Sequence, residues 1–335
     1  MPEKSSSFKR GELRTQVVPA PPGRKVAYNE GIMLMGSCFT EHIGIRLKNL
    51  KFNTCLNPFG IVYNPLSMAR QLSYLINPSG FGNDDLFQHE GLWHSWMHHG
   101  RFSSPDPATI LRAMASEAAE GSRMLAKSGL LLLTFGTAEA WFLNESGKLV
   151  SNCHKVPADR FYTRRAGPEE LADAWIPVLQ SLFQLNPSIQ IGLTISPVRY
   201  FREGPTANQL SKSVLFLFIE NLMSTFPGIW YFPAYEIFMD DLRDYRFYDT
   251  DMVHPGDSGI EYVWNRFATA ILDKAALDLM PEVESVMKAA AHRPGIHRTD
   301  GQVVFEQALA ERMKALSTRY PFLDFAEELE ALSSR

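Results

Sequence analysis

Apolar and polar positions divide the chain into short apolar runs separated by helix-length segments. Runs such as IMLM (32–35) and LLLLTF (130–135) are continuous and apolar, which is typical of strands that are buried on both faces. Between them, apolar residues recur at helical spacing, as Ile43, Leu47 and Leu50 do. The pattern predicts strands at 32–35, 52–56, 130–135, 189–195 and 229–232, and helices at 39–50, 107–126, 168–184, 208–226 and 258–279.

This alternation predicts an α/β fold, a doubly wound parallel sheet with helices on both faces in three layers. We expect one main domain over 26–280. Residues 1–25 are polar and rich in proline, which favours a flexible N-terminal arm. Residues 51–106 read as a loop-rich insertion that forms part of the site, and residues 281–335 as a charged, helical C-terminal extension.

Composition excludes several classes of protein. The chain has 335 residues, 45% of them apolar, with a net charge of −4 and a pI near 6.2. Its basic residues are scattered, which argues against nucleic acid as a partner. Three cysteines without a CxxC pair indicate a reducing compartment. No apolar stretch resembles a signal peptide or approaches the roughly 18 residues of a membrane span. We expect a soluble, cytoplasmic protein that binds no membrane; its oligomeric state is left open.

Candidate chemistry lies after the predicted strands, because ligands of doubly wound sheets bind outside the carboxyl ends of the strands. Asp251 and His254 stand three residues apart before the last predicted helix. This spacing lets the carboxylate hold Nδ1 of the imidazole and leaves Nε2 as a base. Ser37, after the first strand, would be the nucleophile. The alternatives are that Asp251 and His254 only begin a helix, that Ser37 is an N-cap, or that Cys38 is an activated thiolate.

Several segments together resemble a known family. They are MGSCFTEHIG (35–44), NPFGIVYNP (57–65), FGTAEAWF (135–142), NCHKVP (152–157), TISPVRY (194–200) and YFPAYEIFMDDLRDYRFYDTDMVHP (231–255). Over about residues 25–270 the chain resembles the GSCFA-domain family, within the SGNH (GDSL-like) hydrolase superfamily. The resemblance implies the SGNH-hydrolase fold with a flavodoxin-like strand order. It also implies serine-based ester chemistry that requires no metal and no organic cofactor.

The resemblance also implies roles for individual residues. Ser37 matches the nucleophile, and Asp251 and His254 match the DxxH pair of the superfamily. The oxyanion donors would be the Ser37 amide and the Gly60 amide. The third donor of the superfamily is an asparagine in a GxN block, where this chain has GTA (136–138). Its substitute would be Thr137, a backbone N–H or Asn57. Superfamily register turns Ser37 toward the site, and Cys38 would be a small buried residue beneath the turn.

Further polar and aromatic residues are candidate substrate contacts. Trp93, His94, His98 and His99 lie in a segment with little periodicity. They would form a wall of the active site, pack structurally, or bind a metal through His94 and His98 if that segment is helical. Similar segments recur in the family, which favours the wall over a metal site. We therefore expect substrate contacts and no bound metal here.

Two more segments are interpreted in the same way. His154 lies in the segment NCHKVP (152–157) and is a further candidate contact. Arg199, just past a strand, would bind an anionic group or a sugar hydroxyl, or form a buried ion pair with an aspartate at 240, 241 or 244. Trp93, Trp96 and Trp141 suit a sugar platform.

We therefore predict a serine-dependent ester hydrolase or acyltransferase that uses Ser37, His254 and Asp251. Its substrate would be a small-molecule or carbohydrate ester, such as an O-acyl group on a sugar. The missing third-block asparagine motivates the alternative, a non-catalytic glycan- or partner-binding module on the same fold. A third hypothesis is a metal-dependent hydrolase built on His94, His98 and His99.

Overall fold

The computed structural model describes residues 15–292 and 299–334. The strands, in chain order, are β1 (Gly31–Gly36), β2 (Thr54–Leu56), β3 (Phe87–His89), β4 (Leu92–His94), β5 (Ser128–Phe135), β6 (Glu139–Leu143), β7 (Leu149–Val150), β8 (Phe161–Arg165), β9 (Gln190–Ile195) and β10 (Trp230–Phe232). The helices are α1 (Cys38–Asn49), α2 (Pro65–Ile76), α3 (Pro107–Leu125), α4 (Pro168–Leu185), α5 (Gly204–Thr225), α6 (Ala234–Glu236), α7 (Asp257–Ile271), α8 (Lys274–Ala291), α9 (Asp300–Arg319) and α10 (Ala326–Ser333).

The main sheet has five parallel strands in the order β2-β1-β5-β9-β10. Numbered along the chain, this is the flavodoxin-like order, and the predicted α/β fold is confirmed. Every residue of β1 and of β5 is buried, because apolar clusters cover both faces of the sheet. The parallel direction brings the carboxyl ends of β1, β5 and β9 to one edge.

The predicted insertion over 51–106 is wrong for its first half. β2 belongs to the main sheet, and α2 packs Met68, Leu72 and Leu75 into the core. α2 begins where the Asn64 side chain accepts a hydrogen bond from the Ser67 amide (2.9 Å), which is an N-cap. Residues 77–106 do hold long loops around the β3–β4 hairpin.

Two other regions differ from the predicted elements. The helix expected over 258–279 is two helices, because Leu272 is extended and pairs with Val26. Asp273 then starts α8 by accepting a hydrogen bond from the Ala276 amide (2.7 Å). Residues 139–165, for which no strand was predicted, contain the antiparallel sheet β7-β6-β8.

The terminal segments flank this framework. Of the N-terminal arm expected over 1–25, residues 1–14 lie outside the described part, and 15–25 form neither helix nor strand. The Lys25 amine donates to the Thr269 carbonyl (2.8 Å), so this end of the arm contacts α7. At the other terminus, α8 to α10 pack side chains such as Met313 and Phe325 into the core on the α1 side of the sheet. Among the helices in the described ranges, none combines the length and hydropathy needed to cross a bilayer.

Candidate active site

A cleft of about 570 Å³ opens at the carboxyl edge of the main sheet, a volume suited to a small ligand. Ser37 and Cys38 reach it from the end of β1, Gly136 and Thr137 from the end of β5, and Ser196 and Arg199 from the end of β9. His254 enters from the segment before α7, and Trp141 from β6. The cleft therefore lies where the fold predicts a ligand site.

Ser37 occupies the position before α1, yet its hydroxyl does not cap the helix. Its backbone is extended, and α1 has no side-chain cap hydrogen bond. The residue is 1% exposed, and Oγ has no hydrogen-bond partner among the described residues. The N-cap alternative is therefore wrong. A buried hydroxyl without a partner is rare in native proteins and needs a reason.

The turn that presents Ser37 is built by Gly36 and Asn57. Gly36 has φ +152, and a Cβ there would lie 2.5 Å from the Thr134 carbonyl oxygen, so only glycine fits. The Gly36 amide donates to Asn57 Oδ1 (2.8 Å), while Asn57 Nδ2 donates to Glu41 Oε1 (2.9 Å). Asn57 is buried and is not among the residues lining the cleft. The structure therefore does not bring Asn57 to the cleft, where it was predicted to contact substrate; its side chain holds the turn at Gly36 instead.

Asp251 and His254 form the predicted pair. His254 Nδ1 lies 2.6 Å from Asp251 Oδ2, and the amides of Val253 and His254 both donate to Asp251 Oδ1 at 2.9 Å. The hydrogen bond from the His254 amide, followed by that from its imidazole, lowers the pKa of Asp251 to about 2. The carboxylate is thus ionised at neutral pH and holds the proton of the imidazole on Nδ1, leaving Nε2 as the possible base.

Ser37 and His254 line the same cleft but are not hydrogen-bonded to each other. Ser37 Oγ has no partner among the described residues, whereas 45% of the His254 side chain is exposed. The imidazole therefore makes no hydrogen bond to the hydroxyl. Such contacts often form only when substrate binds.

The Gly60 amide, predicted to bind the oxyanion, is already engaged. It donates to the Asn57 carbonyl (2.7 Å), and Gly60 is not among the cleft-lining residues. Its φ is +96, and a Cβ would lie 2.1 Å from His99 Cβ. Glycine is required here by a tight turn against His99, so the predicted oxyanion role of Gly60 is wrong for this arrangement.

Thr137 lines the cleft, but its polar groups are engaged as well. Its amide donates to the Tyr63 carbonyl (3.1 Å). Its hydroxyl lies 3.0 Å from Ser211 Oγ and accepts a hydrogen bond from the Glu139 amide (3.1 Å). Thr137 therefore stabilises the loop after β5, and its backbone amide is not available to a ligand without rearrangement.

The predicted wall of histidines and Trp93 lies outside the cleft lining. His94 ends β4 and bonds Ser103 Oγ through Nδ1 (2.6 Å). His98 is buried against Ser95 (2.9 Å), and burial lowers its pKa to about 3. His99 accepts a hydrogen bond from the Arg101 amide, and Trp93 packs beside Phe102. These residues pack the loops, so the structural alternative is correct for them.

His154 is the remaining histidine candidate, and it too makes contacts within the loops. His154 Nε2 donates to the Ser95 carbonyl (2.8 Å), and burial lowers the pKa of His154 to about 4. It too is absent from the cleft lining, although its neighbours Asn152 and Cys153 are present. Within residues 15–292 and 299–334, no group of three or more histidine, cysteine or acidic side chains is placed to hold a metal.

Arg199 and Trp141 do line the cleft as predicted. The ion-pair alternative for Arg199 is wrong. Its three candidate aspartates, at 240, 241 and 244, pair instead with the arginines at 243, 266 and 246. Cys38 differs from its expected buried place, because it is partly exposed and also lines the cleft. Burial nevertheless raises the pKa of its thiol, which disfavours the reactive thiolate.

Comparison with known proteins places the chain in a family. The sequence matches the GSCFA family over residues 31–267. The chain belongs to the GSCFA family. Residues 283–335 match the C-terminal domain of GSCFA domain proteins. No curated protein matches the sequence.

Solved structures with distant similarity include two esterases. A carbohydrate esterase family 3 protein from Talaromyces cellulolyticus has 8% identity and a TM-score of 0.36, covering 76% of this chain and 99% of its own. An acetyl xylan esterase from the rumen bacterium Butyrivibrio proteoclasticus has 15% identity and a TM-score of 0.36, covering 76% of this chain and 64% of its own. At these scores neither similarity bears on the function of the GSCFA protein.

Three residues at or near the cleft were not predicted from the sequence, namely Asn64, Arg202 and Lys212. Asn64 and Arg202 line the cleft. Lys212, on α5, is fully buried, and its amine donates to the Gly136 and Ser196 carbonyls at 2.7 and 2.8 Å. Burial lowers the pKa of Lys212 to about 7. A signal for Lys212 was present, because it falls at helical spacing with the apolar residues at 215 and 219.

Proposed function

We propose that this GSCFA protein is a serine-dependent ester hydrolase or acyltransferase of the SGNH type, with Ser37 as nucleophile. The observation that carries the proposal is the Ser37 hydroxyl, which is buried and unpartnered in a cleft that it shares with His254. Leaving a buried hydroxyl unpaired costs about 1–3 kcal/mol. That cost is understandable if a bound ester and a closing imidazole supply the missing interactions.

The proton path follows from the Asp251–His254 pair. His254 Nε2 would take the proton of Ser37 as Oγ attacks the acyl carbon, and would then return it to the leaving alkoxide. Asp251 holds Nδ1 at 2.6 Å and stabilises the imidazolium without becoming protonated. Since no hydrogen bond joins Oγ to the imidazole, the proposed proton transfer requires the two groups to come together on the ester. Water or a second alcohol then releases the acyl group.

Asn64 is the residue best placed to supply the oxyanion donors that Gly60 and Thr137 do not provide. The Val62 amide donates to the Gly36 carbonyl (3.1 Å), and the Tyr63 carbonyl accepts from the Gly136 amide (2.8 Å). Residues 62 and 63 thus bridge the ends of β1 and β5, next to Ser37. Asn64 follows directly and lines the cleft.

Asn64 also retains uncommitted donors. Its Oδ1 is held by the Ser67 amide (2.9 Å) and one Nδ2–H by Ser67 Oγ (3.1 Å). This leaves its second side-chain N–H without an acceptor among the described residues. Its backbone N–H has none there either. A fixed, buried amide of this kind is the preorganised donor that an acyl-transfer oxyanion requires.

A sugar ester suits the walls of the cleft. Trp141 and Tyr200 line it, and aromatic faces of this kind pack against sugar rings. Trp93 and Trp96 lie outside the lining. Of the three tryptophans predicted to form a sugar platform, Trp141 alone lines the cleft, and Tyr200 is a second aromatic residue there.

Labelling with a fluorophosphonate tests the proposal. We expect the native protein to be labelled once, at Ser37, and to hydrolyse small aryl esters. Ser37→Ala should lose both properties, whereas Cys38→Ser should keep the labelling. If the native protein neither labels nor turns over any ester, catalysis by Ser37 is ruled out.

A non-catalytic glycan-binding module is the second candidate, favoured by one observation. The predicted donors of Gly60 and Thr137 are engaged in internal hydrogen bonds. In that case an oligosaccharide should bind the native protein and Ser37→Ala with the same affinity, and no ester should be turned over.

A further inference from the structure

We propose that the natural ester carries a carboxylate or a similar oxyanion, which Arg199 binds with help from Arg202. This inference rests on the proposed function, because it names the substrate class of the same cleft.

Arg199 is fixed by the backbone on both sides. It lies in the loop between β9 and α5. The Val198 amide donates to Ser196 Oγ (3.3 Å), and the Tyr200 amide donates to Asn208 Oδ1 (2.9 Å). Asn208 belongs to α5 and is buried. The base of the Arg199 side chain is therefore anchored before any ligand binds, which lowers the entropic cost of using it.

The guanidinium of Arg199 lacks an anionic partner. Its Nε is buried without a hydrogen-bond partner, and no carboxylate among the described residues forms an ion pair with it. The guanidinium carbon lies 4.8 Å from the centre of the Phe201 ring. This contact orients the guanidinium plane, but the ring does not accept hydrogen bonds from the N–H groups in that plane. A planar oxyanion can receive two parallel N–H bonds from such a fork.

The surroundings of Arg199 are electropositive. The guanidinium of Arg202 lies 4.3 Å over the Trp141 ring, and its contact with Glu203 is a distant one of 3.8 Å between exposed side chains. Glu139 is the only carboxylate among the described lining residues. It pairs with Arg165 at 2.8 Å. A neutral ester would leave these charges unmatched, whereas an anionic ester would neutralise them.

Matched ester pairs test the inference. The anion could stand on the acyl or on the alcohol side of the ester, so we use one pair for each. The acyl pair is 4-nitrophenyl hydrogen succinate and its methyl ester, and the alcohol pair is 3-acetoxybenzoate and its methyl ester. We expect the anionic member of one pair to have a kcat/KM at least about tenfold higher, since charge-assisted bidentate bonds are strong.

Variants assign this preference to the arginine. Arg199→Gln should abolish the preference, so that kcat/KM falls at least about tenfold more for the anionic ester than for its neutral counterpart. Arg164→Gln, which removes an exposed charge paired with Glu170 outside the cleft, should keep the preference. If the native protein hydrolyses both members of each pair equally well, or if the preference survives Arg199→Gln, the inference is wrong while the esterase proposal stands.

A binding measurement separates this inference from a failure of catalysis. Calorimetry with glutarate on Ser37→Ala needs no turnover. Saturable binding that weakens at least about tenfold in the Ser37→Ala, Arg199→Gln double variant would support the anion site even if no ester were hydrolysed. Absence of saturable glutarate binding, together with absence of an ester preference, would overturn it.

Discussion

Replacing Lys212 by methionine should change how the stability of the protein depends on pH. Lys212 is fully buried, and its amine donates only to the Gly136 and Ser196 carbonyls. Removal from water disfavours the charged form, and the pKa of Lys212 falls from 10.5 to about 7. The unfolded chain therefore binds a proton between these values that the folded protein does not bind.

The sign and size of the effect follow from linkage. Above pH 10.5 the amine is neutral in both states, so the lysine carries no charge penalty. As the pH falls to 7, the unfolded state gains the proton first, and the folded state loses about 1.4 kcal/mol per pH unit relative to it. Over the window from 10.5 to about 7 this amounts to about 5 kcal/mol. Below pH 7 both states are protonated, and the penalty is constant.

Urea unfolding followed by tryptophan fluorescence measures this effect. The free energy of unfolding of the native protein minus that of Lys212→Met should rise by about 3 kcal/mol between pH 7.5 and 9.5. Below pH 6.5 the difference should be flat. Lys212→Gln, which also lacks the charge but retains a donor, should give the same slope if methionine prevents folding. A difference that does not vary with pH would show that the buried amine keeps an ordinary pKa.

Four further substitutions separate catalytic from structural roles. Ser37→Ala should abolish labelling yet leave the free energy of unfolding unchanged or about 1 kcal/mol higher, because it removes an unpaired buried hydroxyl; a large loss in urea unfolding would contradict this. Asp251→Asn should lower kcat by about 10³–10⁴ and lower the melting temperature slightly, because the ionised carboxylate accepts hydrogen bonds that favour the folded state; an active variant would remove Asp251 from the mechanism. Asn64→Asp keeps the N-cap acceptor but replaces the side-chain donor, so kcat should fall by about 10²–10³ at nearly constant stability; unchanged kcat would exclude the side chain as oxyanion donor. Gly60→Ala should destabilise the protein by more than about 2 kcal/mol, whereas Gly91→Ala, which has positive φ but open space around it, should cost less; equal costs would refute the steric argument.

The main sheet was predictable because each of its buried strands has a recognisable pattern in its own short stretch of sequence. A strand that is buried on both faces is apolar at every position, as β5 is. The sheet β7-β6-β8 gave no such signal, since β8 exposes most of its side chains. The α2 helix could have been found from Asn64 and Pro65 at its start and Met68, Leu72 and Leu75 at helical spacing.

In the candidate site too, contacts between residues close in sequence were predictable, whereas contacts between residues distant in sequence were not. Asp251 and His254 were found because their bond depends on a spacing of three residues. The roles of Gly60 and Asn57 were mistaken because their partners, a carbonyl within a tight turn and the amide of Gly36, are fixed by tertiary contacts. His98 was mistaken because it is buried by packing against Phe59 and Phe81, which are distant in sequence.

At the carboxyl edge of the sheet, some buried polar groups lack hydrogen-bond partners among the described residues. A purely structural role would not require such unpaired groups. Within the described ranges, Ser37 Oγ and Arg199 Nε are buried without partners, and the amine of buried Lys212 donates to two carbonyls rather than to a carboxylate. By contrast, Asn186, near the amino end of β5, shows how this fold satisfies a structural amide: its Nδ2 donates to two carbonyls, and its Oδ1 accepts from the amide and the hydroxyl of Ser188. Unpaired groups cost stability, and a ligand in the cleft would complete both Ser37 Oγ and Arg199 Nε. An acyl carbonyl beside Ser37 and an oxyanion beside Arg199 would do so together, which is why we join the two proposals in a single anionic ester.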